Sequence, residues 1–229
     1  MLKIYANIDK RLIEQMPPVL FEGRIFTINT VEEADKAVKY LKTFPVIGID
    51  TETRPNFQRG QGYKVALLQV STIDTCFLFR LNRIGIPESL KKLLSSRKQI
   101  KIGLSMKDDI RALNGRCEFK FGRYVELQQR VREVGILDLS LQKIYANLFG
   151  RKISKSKRLT NWEAPTLTEA QKRYAATDAW ACLKIYDLLE QLRTGLDYEY
   201  ISPMDDNRMF GIYISSLISE AVGASDQPI

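Results

Sequence analysis

Two carboxylates end the stretch FPVIGIDTET, residues 44–53, directly after the apolar run Val46–Ile49. In an extended strand residues two apart share a face, so Asp50 and Glu52 point the same way, and Gly48 on that face leaves room beside them. Like charges side by side repel, which raises a pKa or demands a counter-ion, and a divalent cation is the simplest one. A strand that merely ends in polar surface residues is the alternative for this stretch alone. A second acidic stretch, IKIGLSMKDDIRAL (100–113), follows another apolar run. With its second half helical, Met106, Ile110 and Leu113 form a buried stripe and Asp109 lies on its edge. Asp108 turns towards solvent, where a helix N-terminus favours an acid. In the third, LTEAQKRYAATDAWACLKIYDLL (167–189), Thr168 and Gln171 mark a helix start as a capping box. Tyr174, Asp178, Ala181 and Ile185 then share one face, and Ala175, Ala176 and Ala179 let the helix pack closely. Taken alone, a Tyr–Asp pair on a helix is more often a structural hydrogen bond. Together, the three stretches offer hard oxygen ligands from several elements, which is what divalent ions need.

Composition narrows the chemistry. The 229 residues include no histidine, which removes Ser-His and Cys-His nucleophile systems and every His-ligated metal. Cys76, Cys117 and Cys182 stand too far apart for a disulfide framework or a zinc knuckle, and they suit a reducing compartment. Any metal is then a hard cation held by oxygen, such as Mg²⁺, Mn²⁺ or Ca²⁺. The net charge is +8. Residues 150–158, GRKISKSKR, hold Arg151, Lys152, Lys155, Lys157 and Arg158 with no acid. After Gly195 there are six acids against Arg208 alone, a net of −5, which leaves +13 on residues 1–195. A basic body of that kind suits a polyanion such as nucleic acid, or else is simply a basic surface. No run nears the ~18 apolar residues of a membrane span, and the N-terminus lacks a signal-peptide pattern. A soluble, cytoplasmic protein is expected.

The elements that must position these groups alternate. Strands are expected at 24–30, 46–52, 64–71, 75–79 and 100–104, with 64–71 and 75–79 forming a hairpin. Helices are expected at 31–44, 87–97, 106–113, 138–149 and 168–194. The pattern is α/β, a mixed sheet with helices on its faces. Residues 150–166 read as an exposed loop. The expected organisation is an N-terminal extension (1–23), one domain (24–195) and an acidic tail (196–229) with one candidate short helix, Met209–Val222.

The DTET of 50–53, the aspartate in GLSMKDDIRAL and the YAATD of 174–178 resemble the three motifs of the DEDD superfamily of 3′–5′ exonucleases. Within it, the resemblance is to the Tyr-type branch, which includes ribonuclease D, the Werner-type exonuclease domain and the proofreading domain of family A DNA polymerases. It spans roughly residues 24–192 and takes in RPNF (54–57), ALLQVS (66–71) and LTNWEAPTLTEAQKRYAATDA (159–179). The sister branch carries a histidine where this chain has Tyr174. The catalytic aspartate falls on Asp109, because D-x-x-x-L aligns through Leu113. In YVELQQ (124–129) relatives often carry an Asp in the strand, and Glu126 is not a metal position.

The resemblance implies an RNase-H-like sheet and removal of nucleotides from the 3′ end of DNA or RNA. It implies two Mg²⁺ or Mn²⁺ ions held by Asp50, Glu52, Asp109 and Asp178, with Tyr174 orienting the attacking water. Around the terminal nucleotide it places the Thr51 backbone, with Lys155 at a basic position ahead of the third motif. Phe57 and Trp162 are candidate stacking platforms for a base, Trp162 being equally readable as a loop-anchoring core residue. Gln69 and Arg54 are candidate supporting residues. The expected partner is single-stranded nucleic acid or a nucleic-acid 3′ end. Two other readings share this fold: a catalytically silent nucleic-acid-binding module, and an RNase-H-like endonuclease.

Overall fold

A computed structural model describes residues 1–56 and 62–202. Along the chain come β1 (Leu2–Tyr5), α1 (Lys10–Gln15), β2 (Pro18–Val19), β3 (Arg24–Ile28), α2 (Val31–Leu41) and β4 (Val46–Glu52). The hairpin strands β5 (Leu67–Ser71) and β6 (Thr75–Phe79) follow, then α3 (Leu81–Ile84), α4 (Glu88–Ser95), β7 (Ile100–Gly103) and α5 (Met106–Asn114). The rest is β8 (Tyr124–Glu126), α6 (Leu127–Arg130), α7 (Leu141–Phe149), β9 (Lys152–Ile153), α8 (Glu169–Arg193) and β10 (Tyr198–Ile201). The expected helix at Met209–Val222 and Phe57 lie outside the described residues.

Six strands form one mixed sheet in the order β3-β6-β5-β4-β7-β8. β5 runs antiparallel to both neighbours, and the remaining pairs are parallel. Alternation sends Ile47, Ile49, Leu68, Val70, Phe77 and Phe79 to one face, where α2, α4 and α5 close an apolar core over them. Gly48, Asp50 and Glu52 face the other way, beside Leu67, Gln69 and Ser71 of β5. That face is covered by α8, whose Ala175, Ala176 and Ala179 are fully buried. The contact at Gly48 is backbone on backbone. A Cβ there would lie 2.1 Å from the Ala179 carbonyl oxygen, so only glycine lets α8 settle on β4.

The strand at 24 stops two residues earlier than its pattern suggests, because Thr30 is the N-cap of α2. The Thr30 hydroxyl accepts from the Glu33 N–H at 3.2 Å, and the Glu33 carboxylate accepts from the N–H groups of Asn29 and Thr30. The segment 150–166 is no simple exposed loop either. β9 pairs in parallel with β2, and Ile153 and Trp162 are buried. The first residues are tied to distant ones: β1 pairs with β10, and the Asn147 carboxamide brackets Tyr5, accepting from its N–H at 2.9 Å and donating to its carbonyl at 2.7 Å. Among the described residues no helix is long and apolar enough to cross a membrane.

Candidate active site

β4 delivers three side chains in a row. Asp50 and Glu52 lie under α8, which brings Tyr174 and Asp178 one turn apart over them. Carboxylate oxygens of Asp50, Glu52 and Asp178 come within 4.8 Å of one another. Thr51, between them in sequence, points to the opposite face and donates its hydroxyl to Asp109 Oδ1 at 2.6 Å. Asp109 therefore reaches the end of β4 from the α5 side of the sheet. Its other oxygen, Oδ2, is buried without a hydrogen-bond partner among the described residues. Asp108 instead pairs with Arg111 at 3.4 Å on the exposed side of α5.

Glu126, at the end of β8, sets where α5 begins. Ser105 precedes the helix in the left-handed region, with φ 60°, and its hydroxyl does not cap it. The Glu126 carboxylate takes over, accepting from the N–H groups of Ser105 (3.0 Å) and Met106 (2.7 Å), and from Gln128 (3.1 Å) at the start of α6. One carboxylate thus caps two helices and fixes the helix that carries Asp109. Sequence reasoning missed this role. A strand ending in an acid just before LQQ was the only local signal, and the α5 half of the contact is remote in sequence.

Burial and mutual repulsion dominate the electrostatics. Burial, then the charges of Asp109, Asp178 and Glu52, pushes Asp50 well above the usual carboxylate range. Burial raises Glu52 to about 9, aided by Asp178 and Asp109 and opposed by Arg158. It raises Asp109 to about 7 against the Thr51 hydrogen bond, and Asp178 to about 7 against a hydrogen bond from Tyr174 and the charge of Lys155. The Tyr174 hydroxyl is pushed up by burial and the surrounding acids, so it stays protonated and acts as a donor. Buried acids forced together, with no ion pair to a basic side chain among the described residues, are what a bound cation relieves. The converging oxygens and the orphaned Asp109 Oδ2 fit a hard divalent ion.

These groups floor a cleft of about 400 Å³. Leu139 to Gln142 at the start of α7 and Ile153, Ser154, Lys155 and Arg158 also line it, so the buried acids share the cleft with two basic side chains. Thr51 and Lys155 line the cleft. Trp162 does not: it is 0% exposed, with its ring 6.0 Å from that of Tyr174 and its indole N–H donating to the Arg158 carbonyl at 3.4 Å. An indole with no open face cannot stack on a base, so Trp162 is an anchor for the basic segment and not a platform. Arg54 pairs with Glu163 at 3.5 Å and covers the Tyr63 ring. Gln69 sits directly across the β4–β5 ladder from Asp50, fully buried, with both carboxamide atoms unpartnered among the described residues. Ser140, Gln142 and Cys182 also line the cleft, and no motif in the sequence singles them out.

Residues 25–193 match a protein-family profile described as 3′-5′ exonuclease. The mouse protein named bifunctional 3′-5′ exonuclease/ATP-dependent helicase WRN is 33% identical over 200 residues, covering 82% of this chain and 14% of its own length. An Arabidopsis thaliana protein named 3′-5′ exonuclease is 31% identical over 201 residues, covering 77% of this chain and 67% of its own. Among solved structures, the Nibbler EXO domain of Aedes aegypti superposes with a TM-score of 0.69 at 21% identity, over 77% of this chain and 92% of that one. The fold is therefore shared where little sequence is. With the profile running through all three acidic motifs, this chain belongs to the DEDD-type 3′–5′ exonuclease family.

Proposed function

We propose that this chain hydrolyses phosphodiester bonds one nucleotide at a time from the 3′ end of DNA or RNA, using two Mg²⁺ or Mn²⁺ ions. The observation that carries this reading is the convergence of Asp50, Glu52 and Asp178 within 4.8 Å, in a cleft that Lys155 and Arg158 also line. Asp50, Glu52, Asp109 and Asp178 would hold the ions. Such ions, when bound, acidify a water and neutralise charge on the phosphate and the leaving 3′-oxygen. The chain's other groups then bind and orient. Tyr174, protonated and beside Asp178, turns its one O–H from that carboxylate to the attacking water and has no need to act as base. Lys155 and Arg158 draw backbone phosphates to the cleft, and the Thr51 backbone borders the terminal nucleotide. Phe57 is retained as a base-stacking candidate from the sequence alone. An intracellular, cytoplasmic setting suits the three free cysteines.

The test is digestion of 5′-labelled single-stranded DNA and RNA oligomers with Mg²⁺, Mn²⁺ or EDTA, alongside Asp109→Asn. A metal-dependent ladder shortening from the 3′ end, absent in the variant, is expected and names the substrate. Internal cuts would favour an endonuclease. Binding of both oligomers without shortening would make the chain a silent nucleic-acid-binding module.

A further inference from the structure

A second cleft, of about 380 Å³, lies against α8 beyond the basic segment 153–158. It shares Ile153, Ser154 and Tyr174 with the catalytic cleft, so the two have a common wall. Its own lining combines two characters. Lys157 and Arg173 stand at it, and among the described residues neither side chain makes an ion pair or hydrogen bond. One acid, Glu169 of α8, also lines the cleft; it pairs with Lys172 at 2.7 Å and also feels the charge of Arg173, which leaves the two cations in excess at the cleft. Leu20, Ile153 and Ala170 add an apolar wall, with Leu20 46% exposed.

That exposed leucine is held in place from both sides. Val19 and Phe21 are buried, Val19 pairs with Ile153 across β2–β9, and the Phe21 N–H donates to the Thr177 hydroxyl at 2.9 Å. Arg151 and Lys152 donate to the carbonyls of Pro18 and Glu14 at 3.0 and 2.6 Å. Leu20, directly after β2, lies ahead of the 25–193 family match. An apolar surface beside unpaired cations fits one class of ligand well: a nucleotide, with a hydrophobic base and an anionic phosphate.

We propose that this cleft holds nucleotides of an unpaired strand that lie two or more positions upstream of the bond being cut. The inference rests on the exonuclease reading of the adjoining cleft. A base lies against Leu20 and Ala170, and backbone phosphates meet Lys157 and Arg173. Single strands are favoured over duplex, because a paired base keeps its faces stacked and has none to offer the leucine wall.

The experiment compares a dinucleotide with an octanucleotide of the same sequence, for the wild type and the double variant Lys157→Ala/Arg173→Ala. Without these two cations to neutralise phosphates, KM for the octanucleotide should rise about 10-fold, and the slope of log affinity against log salt should become shallower by about 1.4. KM for the dinucleotide, too short to reach the second cleft, should rise less than about twofold, and Leu20→Asp should reproduce the same length dependence by charge repulsion. Equal effects on both lengths, or none on either, overturn the proposal and leave the exonuclease reading intact. A KM unmoved at both lengths with weaker inhibition by a mononucleotide makes the cleft a product site, which also overturns it. A wild type inert towards both substrates overturns the exonuclease reading itself, and this inference with it.

Discussion

The two faces of β4 are built from alternate residues of one strand and serve opposite ends. Ile47 and Ile49 are sealed into the apolar core under α2, α4 and α5. Gly48, Asp50 and Glu52, one residue along each time, meet a helix that brings another carboxylate to them. The first face gains burial of roughly 1.5–3 kcal/mol per large side chain. The second gives that up, concentrates repelling charges and leaves Gln69 without a partner among the described residues, a combination that is costly unless a ligand completes it. From Ile47 to Asp50 stability and chemistry alternate residue by residue, until Thr51, on the core-side face, holds Asp109 and carries that face into the site as well.

Substituting adjacent residues should break that contrast most sharply. Asp50→Asn should cut turnover on the order of 10³-fold or more while the protein folds. Ile49→Ala should lower stability by roughly 2–5 kcal/mol, read from denaturant midpoints, with turnover per folded molecule within a few fold. If Ile49→Ala abolished turnover in fully folded protein, the division of labour would be wrong. Gly48→Ala should damage both functions. Its Cβ would collide with the Ala179 carbonyl, one residue from Asp178, so α8 must shift. A stability loss of roughly 1–3 kcal/mol with a fall of about 10²-fold in kcat is expected, whereas a melting change without a kcat change would mean that Asp178 tolerates the shift.

The smallest effect sharpens the electrostatics. Glu52 titrates at about 9 in the folded chain against an ordinary 4.5, and Asp178 at about 7 against 3.8. Folded-state values raised in this way mean that the folded protein holds these protons more tightly than the unfolded chain. The stability they contribute is present below the ordinary values and is lost as pH rises through about 7 and 9. In EDTA, Tm should therefore fall between pH 5 and 9, and added Mg²⁺ or Mn²⁺ should restore more of it at the alkaline end. Without metal, Glu52→Gln should melt on the order of 5 °C above wild type at pH 8 and level with it at pH 5. An equal offset at both pH values would point to packing instead of charge.

How legible these features were depended on the range of the signals involved. β4, α5 and α8 could be read because periods of 2 and 3.6 and the Thr168–Gln171 capping box are local, and Asp109 was separated from Asp108 by the Met106–Leu113 stripe. The N-terminal pairings could not. β2 and β9 are two residues each and meet across more than a hundred positions, with no hydrophobic run to announce them. Trp162 illustrates a different failure. An aromatic in a basic stretch reads the same whether it faces solvent or, as here, fills the space behind Tyr174. The φ of 60° at Ser105 and its dependence on Glu126 arise only once β7 and β8 lie side by side.

The late position of α8 has a consequence for biosynthesis. A chain emerging from the ribosome displays β4 to β8 before the helix bearing Tyr174 and Asp178 exists, and until then Leu67, Cys76 and Leu78 lack the cover of its Tyr174, Ala175 and Ala176. The same helix closes the core and completes the acidic cluster. A chain truncated before it would carry an exposed apolar sheet and an incomplete set of carboxylates. Interrupted synthesis should therefore yield a product prone to aggregate and unable to cut, never a soluble fragment with misdirected nuclease activity.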